Sequence, residues 1–166
     1  MVPLNDRLMA NATAMLRASL EEVFSTMFRL SLEDTEPDGE PMQRQPLVIG
    51  IIGFNGNVSG VVCLHLTAAF AIQLTSILLG MPESDVLEES MVNDVVGEAS
   101  NMIVGGMKSR LCGEGAGSVL TVPSIVRAQM AYTAPTHGAQ QTIIRVRCCG
   151  NPILLTLQIK TEPQAN

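Results

Sequence analysis

Tryptophan is absent from this 166-residue chain, tyrosine occurs once and phenylalanine four times. A core built from rings is therefore excluded, and the ten methionines are expected to fill the gaps that rings would occupy. Charge is also scarce: only 16% of residues are Asp, Glu, Lys or Arg, with a net charge of −6. No basic stripe is visible, which argues against nucleic-acid binding. The sparse charge leaves a fairly apolar surface and favours self-association, so a homodimer is expected. Of the four cysteines, at 63, 112, 148 and 149, no pair has zinc spacing. The vicinal pair Cys148 and Cys149 cannot easily close a relaxed disulfide. The cysteines read as reduced and mostly buried, as in a reducing compartment. No apolar run reaches membrane-spanning length, and no signal peptide is read at the start. Together these features predict a cytoplasmic location.

What is present is enough for a core. Hydrophobic residues make up 46% of the chain, and its length fits one domain over 1–166 that folds without disulfides or metals. Leu8, Ala12, Leu16, Leu20, Phe24 and Phe28 recur at steps of four, which predicts a long amphipathic helix over 5–31. A polar, proline-rich loop follows at 33–46. Two β-branched runs around Asn55-Gly56 predict a hairpin with strands at 47–54 and 57–66. Thr67 is placed to cap a helix that Gly80 ends, with Pro82 beyond it. A further helix is predicted from Ser84 or Asp85 to about Leu111. Residues 119–133 read as extended, broken by Pro123, and 142–149 with 153–160 as a second hairpin around Gly150-Asn151-Pro152. No internal repeat is evident. The fold class is α+β: long helices packed on an antiparallel-rich sheet.

One segment carries candidate chemistry. "VNDVVGEASNMIVGGMK", residues 92–108, has a helical period yet contains Gly97, Gly105 and Gly106. Each glycine costs a helix interior about 1 kcal/mol relative to alanine. Leu87, Met91, Val95, Ala99, Met102, Ile103 and Met107 predict an apolar stripe. Asp94, Glu98, Asn101, Gly105 and Lys108, at steps of four, three, four and three, predict a polar face. A glycine one turn after Asn101 lets another surface approach its carboxamide. Gly97 and Gly106 either do the same or let a neighbouring element of this protein pack tightly.

The string Glu98-Ala99-Ser100-Asn101-Met102-Ile103-Val104-Gly105, then Lys108, resembles the signature of the CheX chemotaxis phosphatase family, related to CheC. The leading helix, the hairpin "GNVSGVVCLHL" and the short helix ending "LLGM" also look like that family. The match departs at Ala99, where relatives are usually bulkier, and at Gly106, where many have Asn. The resemblance implies a CheX/CheC-like fold and a substrate, the aspartyl phosphate of a CheY-like response-regulator receiver domain. It implies that Asn101 positions water and that Glu98 pairs with a receiver lysine. Gly105, Asp94 and Lys108 would then border the partner. Mg2+ would belong to the receiver, since no carboxylate or His cluster here makes a metal site. A non-catalytic receiver-binding module is the alternative reading. His65 reads as structural, and Ser100 lacks the order of a triad. "GEGAG" at 113–117 precedes no Lys-Ser/Thr, so it is not a phosphate loop.

Overall fold

The computed structural model describes residues 4–35, 42, 45–56, 58–112, 119–129 and 134–160. Helix α1 (Leu4–Val23) buries Ala12, Leu16 and Leu20, so its period of four is the period of a packed face. It widens into a π turn over Phe24–Phe28, which puts both phenylalanines in the core with ring centroids 5.3 Å apart. Arg29, in the left-handed conformation with φ 57°, ends it. The predicted 33–46 loop begins instead with a short strand, β1 (Glu33–Asp34). Two residues are too few to show a period.

Strands β2 (Leu47–Asn55) and β3 (Ser59–Thr67) form the first hairpin. Its connection is wider than the expected two-residue turn, and the Ser59 hydroxyl donates to Asn55 Oδ1 at 2.6 Å. Helix α2 (Ala68–Leu79) starts as predicted: Thr67 Oγ1 accepts from the Phe70 N–H, and Gly80 closes it at φ 65°. A 3-10 turn at Glu83–Asp85 then delays helix α3 to Glu89–Cys112. The expected start at Ser84 or Asp85 is corrected to Glu89. Pro82 and the turn consume the chain that the periodicity had assigned to the helix.

The extended stretch after α3 resolves into β4 (Val119–Leu120) and β5 (Ser124–Ala128), and residues 130–133 lie outside the described ones. Strands β6 (Ala139–Cys148) and β7 (Asn151–Lys160) make the second hairpin. Its turn is Cys149-Gly150, both at positive φ, and Pro152 sits inside β7 rather than in the turn. All pairings are antiparallel. The sheet runs β1-β6-β7-β3-β2-β4, with β5 also on β2. The α+β architecture expected from the sequence is thus the one observed.

The two halves follow one plan, related by an approximate twofold rotation about the central β3–β7 pair, although no sequence repeat shows it. Each half is a long helix followed by a hairpin, and β3 and β7 meet at the centre of the sheet. The helices cross where Gly106 lies against Ser19. About that crossing, Thr13 answers to Ser100, and each hydroxyl donates to the carbonyl four residues earlier. The buried Ala12, Leu16 and Leu20 answer to Ala99, Ile103 and Met107. Arg110 closes the crossing with bonds to Ser19 and Glu22.

Helix α3 reaches β2 through a gap that only a glycine leaves. A Cβ on Gly50 would overlap the Ser100 hydroxyl and stand 3.3 Å from Val96 Cγ1. Gly50→Ala is therefore expected to cost roughly 1–3 kcal/mol by overpacking. Ser100→Gly in the same chain should return part of it. Urea unfolding of both variants measures this, and an unchanged midpoint for Gly50→Ala would contradict the packing.

Candidate functional site

Helix α3 has a scaffold side and an open side. Val92, Val95, Val96, Ala99, Ile103, Val104 and Met107 are buried, and Ser100 is buried with its hydroxyl on the Val96 carbonyl at 2.7 Å. The apolar face is thus turned toward Val92, Val96 and Ser100 relative to the predicted stripe. Leu87 lies before the helix and is 83% exposed, and Met102 is 40% exposed, so neither belongs to the core. The expectation failed because α3 packs on both α1 and the sheet, which buries a wider arc than one stripe.

The open side holds the residues that the sequence singled out. Asp94 and Glu98 are exposed, and Asn101, Gly105 and Lys108 are half-buried. None of Asp94, Glu98, Asn101 and Lys108 has a side-chain hydrogen bond or ion pair among the described residues. This contrasts with the neighbouring charges: Glu89 is held by Arg127, and Arg110 holds Glu22. An uncommitted carboxylate and an uncommitted carboxamide, one helical turn apart, are free to serve something outside the chain.

The three glycines separate into two kinds. A Cβ on Gly105 would meet nothing within 4 Å, so the surface beside Asn101 is flat and open. Gly97 is buried, with Pro123 Cβ 3.6 Å and Ile125 Cδ1 3.8 Å from the place of its missing Cβ. Gly106 makes room for Ser19. Gly97 and Gly106 therefore serve internal packing. The segment that covers Gly97 also carries Val122, 84% exposed and one residue from Pro123. Met102, read from the sequence as part of the buried stripe, is instead an exposed apolar side chain next to Asn101 in the chain, and Val122 is a second exposed apolar residue that the sequence reading missed. Val122 stands in a non-repetitive stretch where no periodicity could mark it.

The remaining candidates carry no chemistry. His65 is buried in β3 between Ile49 and Leu154, and burial pushes its pKa down to about 4, so it stays neutral. His137 is exposed on a turn. Burial raises the Cys63 thiol, and burial together with the adjacent Cys149 pushes Cys148 up to about 12. Neither is a reactive thiolate. Cys148 is buried as expected, whereas Cys63 is half-buried and Cys149 exposed. Among the described residues no group of three or more His, Cys, Asp or Glu could hold a metal ion. The 113–117 segment lies outside the described residues.

Comparison with known proteins gives the site a context. The family described as "Chemotaxis phosphatase CheX" matches residues 48–147, which include the whole open side of α3. No curated protein matches the chain. Solved structures share its fold. The chemotaxis protein CheX from Vibrio vulnificus is 24% identical, with a TM-score of 0.73 over 90% of this chain and 96% of that one. A CheC-like superfamily protein from Shewanella sp. PV-4 is 23% identical, with a TM-score of 0.76 over 91% and 98%. A CheX from Borrelia burgdorferi, in complex with CheY, BeF3 and Mg2+, is 19% identical, with a TM-score of 0.73 over 90% and 98%.

The two kinds of glycine respond oppositely to a methyl group. Gly105→Ala should raise stability by about 1 kcal/mol, because it removes a helix weakness and meets no neighbour. Gly106→Ala should lower it, because the methyl group meets Ser19. Chemical denaturation of both variants checks the pair, and equal shifts would contradict the assignment.

Proposed function

We propose, for a chain that belongs to the chemotaxis phosphatase CheX family, hydrolysis of the aspartyl phosphate of a CheY-like response-regulator receiver domain. The observation that carries the assignment of residues is the uncommitted Glu98–Asn101 pair on the open side of α3, beside the bare surface of Gly105. The Borrelia burgdorferi relative in complex with CheY supports the same partner class. Its BeF3 stands in for a phosphoryl group.

The reaction needs little from the phosphatase beyond position. Water attacks phosphorus, the bond from phosphorus to the aspartyl oxygen breaks, and the products are a free carboxylate and inorganic phosphate. The leaving carboxylate needs no strong acid, so the demand is a water in line with that bond. The Asn101 side-chain oxygen accepts a hydrogen bond from the water and leaves a lone pair aimed at phosphorus. A carboxylate in its place would be repelled by the phosphoryl oxygens. Glu98, one turn earlier, pairs with a lysine of the receiver site and sets the helix over the phosphate. Asp94, Lys108 and Gly105 border the contact, with Met102 and Val122 as its apolar edge. Mg2+ belongs to the receiver and neutralises phosphoryl charge there.

No helix among the described residues is long and apolar enough to cross a membrane, and a receiver substrate places the chain in the cytoplasm. The exposed edge of β5, with Val126 43% exposed, supports a homodimer formed by edge-to-edge strand pairing. Sedimentation at micromolar concentration should show the dimer; only monomer would contradict it.

The division of labour is testable by kinetics. Asn101→Ala should lower turnover on the order of a hundredfold or more while leaving binding to a BeF3-treated receiver nearly unchanged. Glu98→Ala should weaken binding as well as rate, and Glu98→Lys should be worse than Glu98→Ala. Full activity of Asn101→Ala would overturn the mechanism. A parent chain that binds a phosphorylated receiver without removing its phosphate would replace hydrolysis by a non-catalytic binding module.

A further inference from the structure

Strand β5 lies along one ridge of helix α3 and runs against it. Glu89, Asn93, Gly97 and Asn101 recur at steps of four, so they form a single ridge on the helix surface. Arg127 holds the first two: its guanidinium pairs with the Glu89 carboxylate at 3.2 Å and donates to Asn93 Oδ1 at 2.8 Å. Two residues earlier in the strand, Ile125 Cδ1 stands 3.8 Å from the place of the missing Gly97 Cβ. Two residues earlier again, Pro123 Cβ stands 3.6 Å from the same place. A strand advances about 6.6 Å in two residues and a helix about 6 Å in four, so the two elements keep step. Ile125 therefore meets Gly97 from the side of Asn93, and Pro123 meets it from the side of Asn101.

The cover ends at Pro123 because the strand is bulged there. Ser124 pairs with Ile51 and Leu120 with Phe54, so Thr121, Val122 and Pro123 stand opposite only Ile52 and Gly53. The extra residue makes a β-bulge, one of the few places in a sheet that accept proline. It turns the strand over. Gly50 faces α3, and Gly53, three residues on, faces the other side of the sheet. Thr121 is on that other side, with its Cγ2 3.0 Å from the place of a Gly53 Cβ, and Val122 is exposed. Neither continues along the ridge. The bulge is tied at both ends. The Thr121 N–H donates to the Gly53 carbonyl at 2.9 Å, the Gly53 N–H donates to Thr121 Oγ1 at 2.9 Å, and Arg127 fastens β5 to α3.

Asn101 is the first residue of the ridge beyond this cover. It is half-buried, yet its side chain has no hydrogen bond among the described residues. Helix packing fixes the direction of its Cα–Cβ bond and leaves its two side-chain torsions open. A helical side chain leans toward the turn before it, which here is the turn of Gly97. Gly97 has no side chain to meet it, and Pro123 stands over that place. We propose that Pro123 is a positioning residue for Asn101. Its ring is the wall that stops the carboxamide from swinging back over Gly97, so that its oxygen is presented outward. A proline brings no N–H that could compete for that oxygen, so the wall restricts Asn101 without occupying it. The consequence for rate rests on the phosphatase reading; the contact itself does not.

The contact is measured by NMR in the unaltered chain. The Asn101 side-chain amide signals, assigned by their loss in Asn101→Ala, should show nuclear Overhauser effects to the Pro123 ring protons. Their absence overturns the proposal. Pro123→Gly should make the Asn101 amide more mobile by NMR relaxation and lower turnover on a phosphorylated receiver roughly tenfold, with binding to a BeF3-treated receiver unchanged. Pro123→Val returns a branched side chain and should recover most of the rigidity and rate. Backbone signals of Ser124–Ala128 verify that β5 stays on β2; if Pro123→Gly releases it, the Overhauser effects in the unaltered chain decide. An Asn101 amide as rigid in Pro123→Gly as in the parent overturns the proposal, and so does full turnover with a mobile amide. A loss of binding that accounts for the whole loss of rate also overturns it, because that marks Pro123 as a receiver contact. Overhauser effects and a mobility change in a chain that dephosphorylates no receiver support the wall and overturn the phosphatase reading alone.

Discussion

The contact of Gly50 with Ser100 sets the position of α3, and the position of α3 sets the direction of the open row from Asp94 to Lys108. A helix beside a sheet normally stands off by the length of its side chains. Here one bare backbone position in β2 admits a hydroxyl, and the helix settles closer to the sheet. The Ser100 hydroxyl is satisfied within its own helix, so the close approach leaves that buried polar group paired. On the other flank, Gly106 does for α1 what Gly50 does for β2. With two tight contacts on different sides, α3 has little freedom to roll. Asn101 and Glu98 are held in direction by backbone packing and by no bond of their own. The water positioning proposed for Asn101 would gain from this, because its hydrogen-bonding atoms stay uncommitted while its direction is fixed.

The two corresponding halves show how one scaffold can be put to unequal use. At the places of Glu98 and Asn101, helix α1 has Asn11 and Ala14. At the place of Gly105 it has Ala18, and Arg17 replaces the buried Val104. The geometry is kept and the side chains differ. The covering strand is likewise present in one half, and no described strand fills its place in the other. The asymmetry therefore lies in the outer layer, while the central β3–β7 pair and the helix crossing hold both halves to the same plan.

The sequence made some parts of this legible and hid others for physical reasons. The capping pair Thr67 and Gly80 marked α2 to the residue, because caps are local chemistry. The α+β class and both hairpins followed from runs of β-branched residues. The start of α3 was misread because Leu87 continues the period without belonging to the helix. The wider buried arc on α3 was hidden because one chain's pattern does not say how many neighbours a helix has. The twofold correspondence left no trace because packing preserves size more than identity: Leu16 stands for Ile103, and Leu20 for Met107. Strand β1 is too short to carry a pattern. The polar row from Asp94 to Lys108 was legible because it is a property of one helix. The exposure of Val122 was not, because it depends on the tertiary contact that places its neighbour Pro123 against Gly97.

The separation of α3 into a buried side and a side without hydrogen bonds or ion pairs among the described residues has a consequence for change over time. Substitutions at the exposed Asp94 and Glu98, and at Gly105 with nothing within 4 Å of its missing Cβ, change the outer face at little expense to folding. Substitutions at Gly97, Ser100 and Gly106 do the reverse. A lineage, or a designer, can alter the outer row one residue at a time while keeping Asn101, the residue proposed to position water. The inner row then acts as a mould that holds Asn101 at the same angle through every such change.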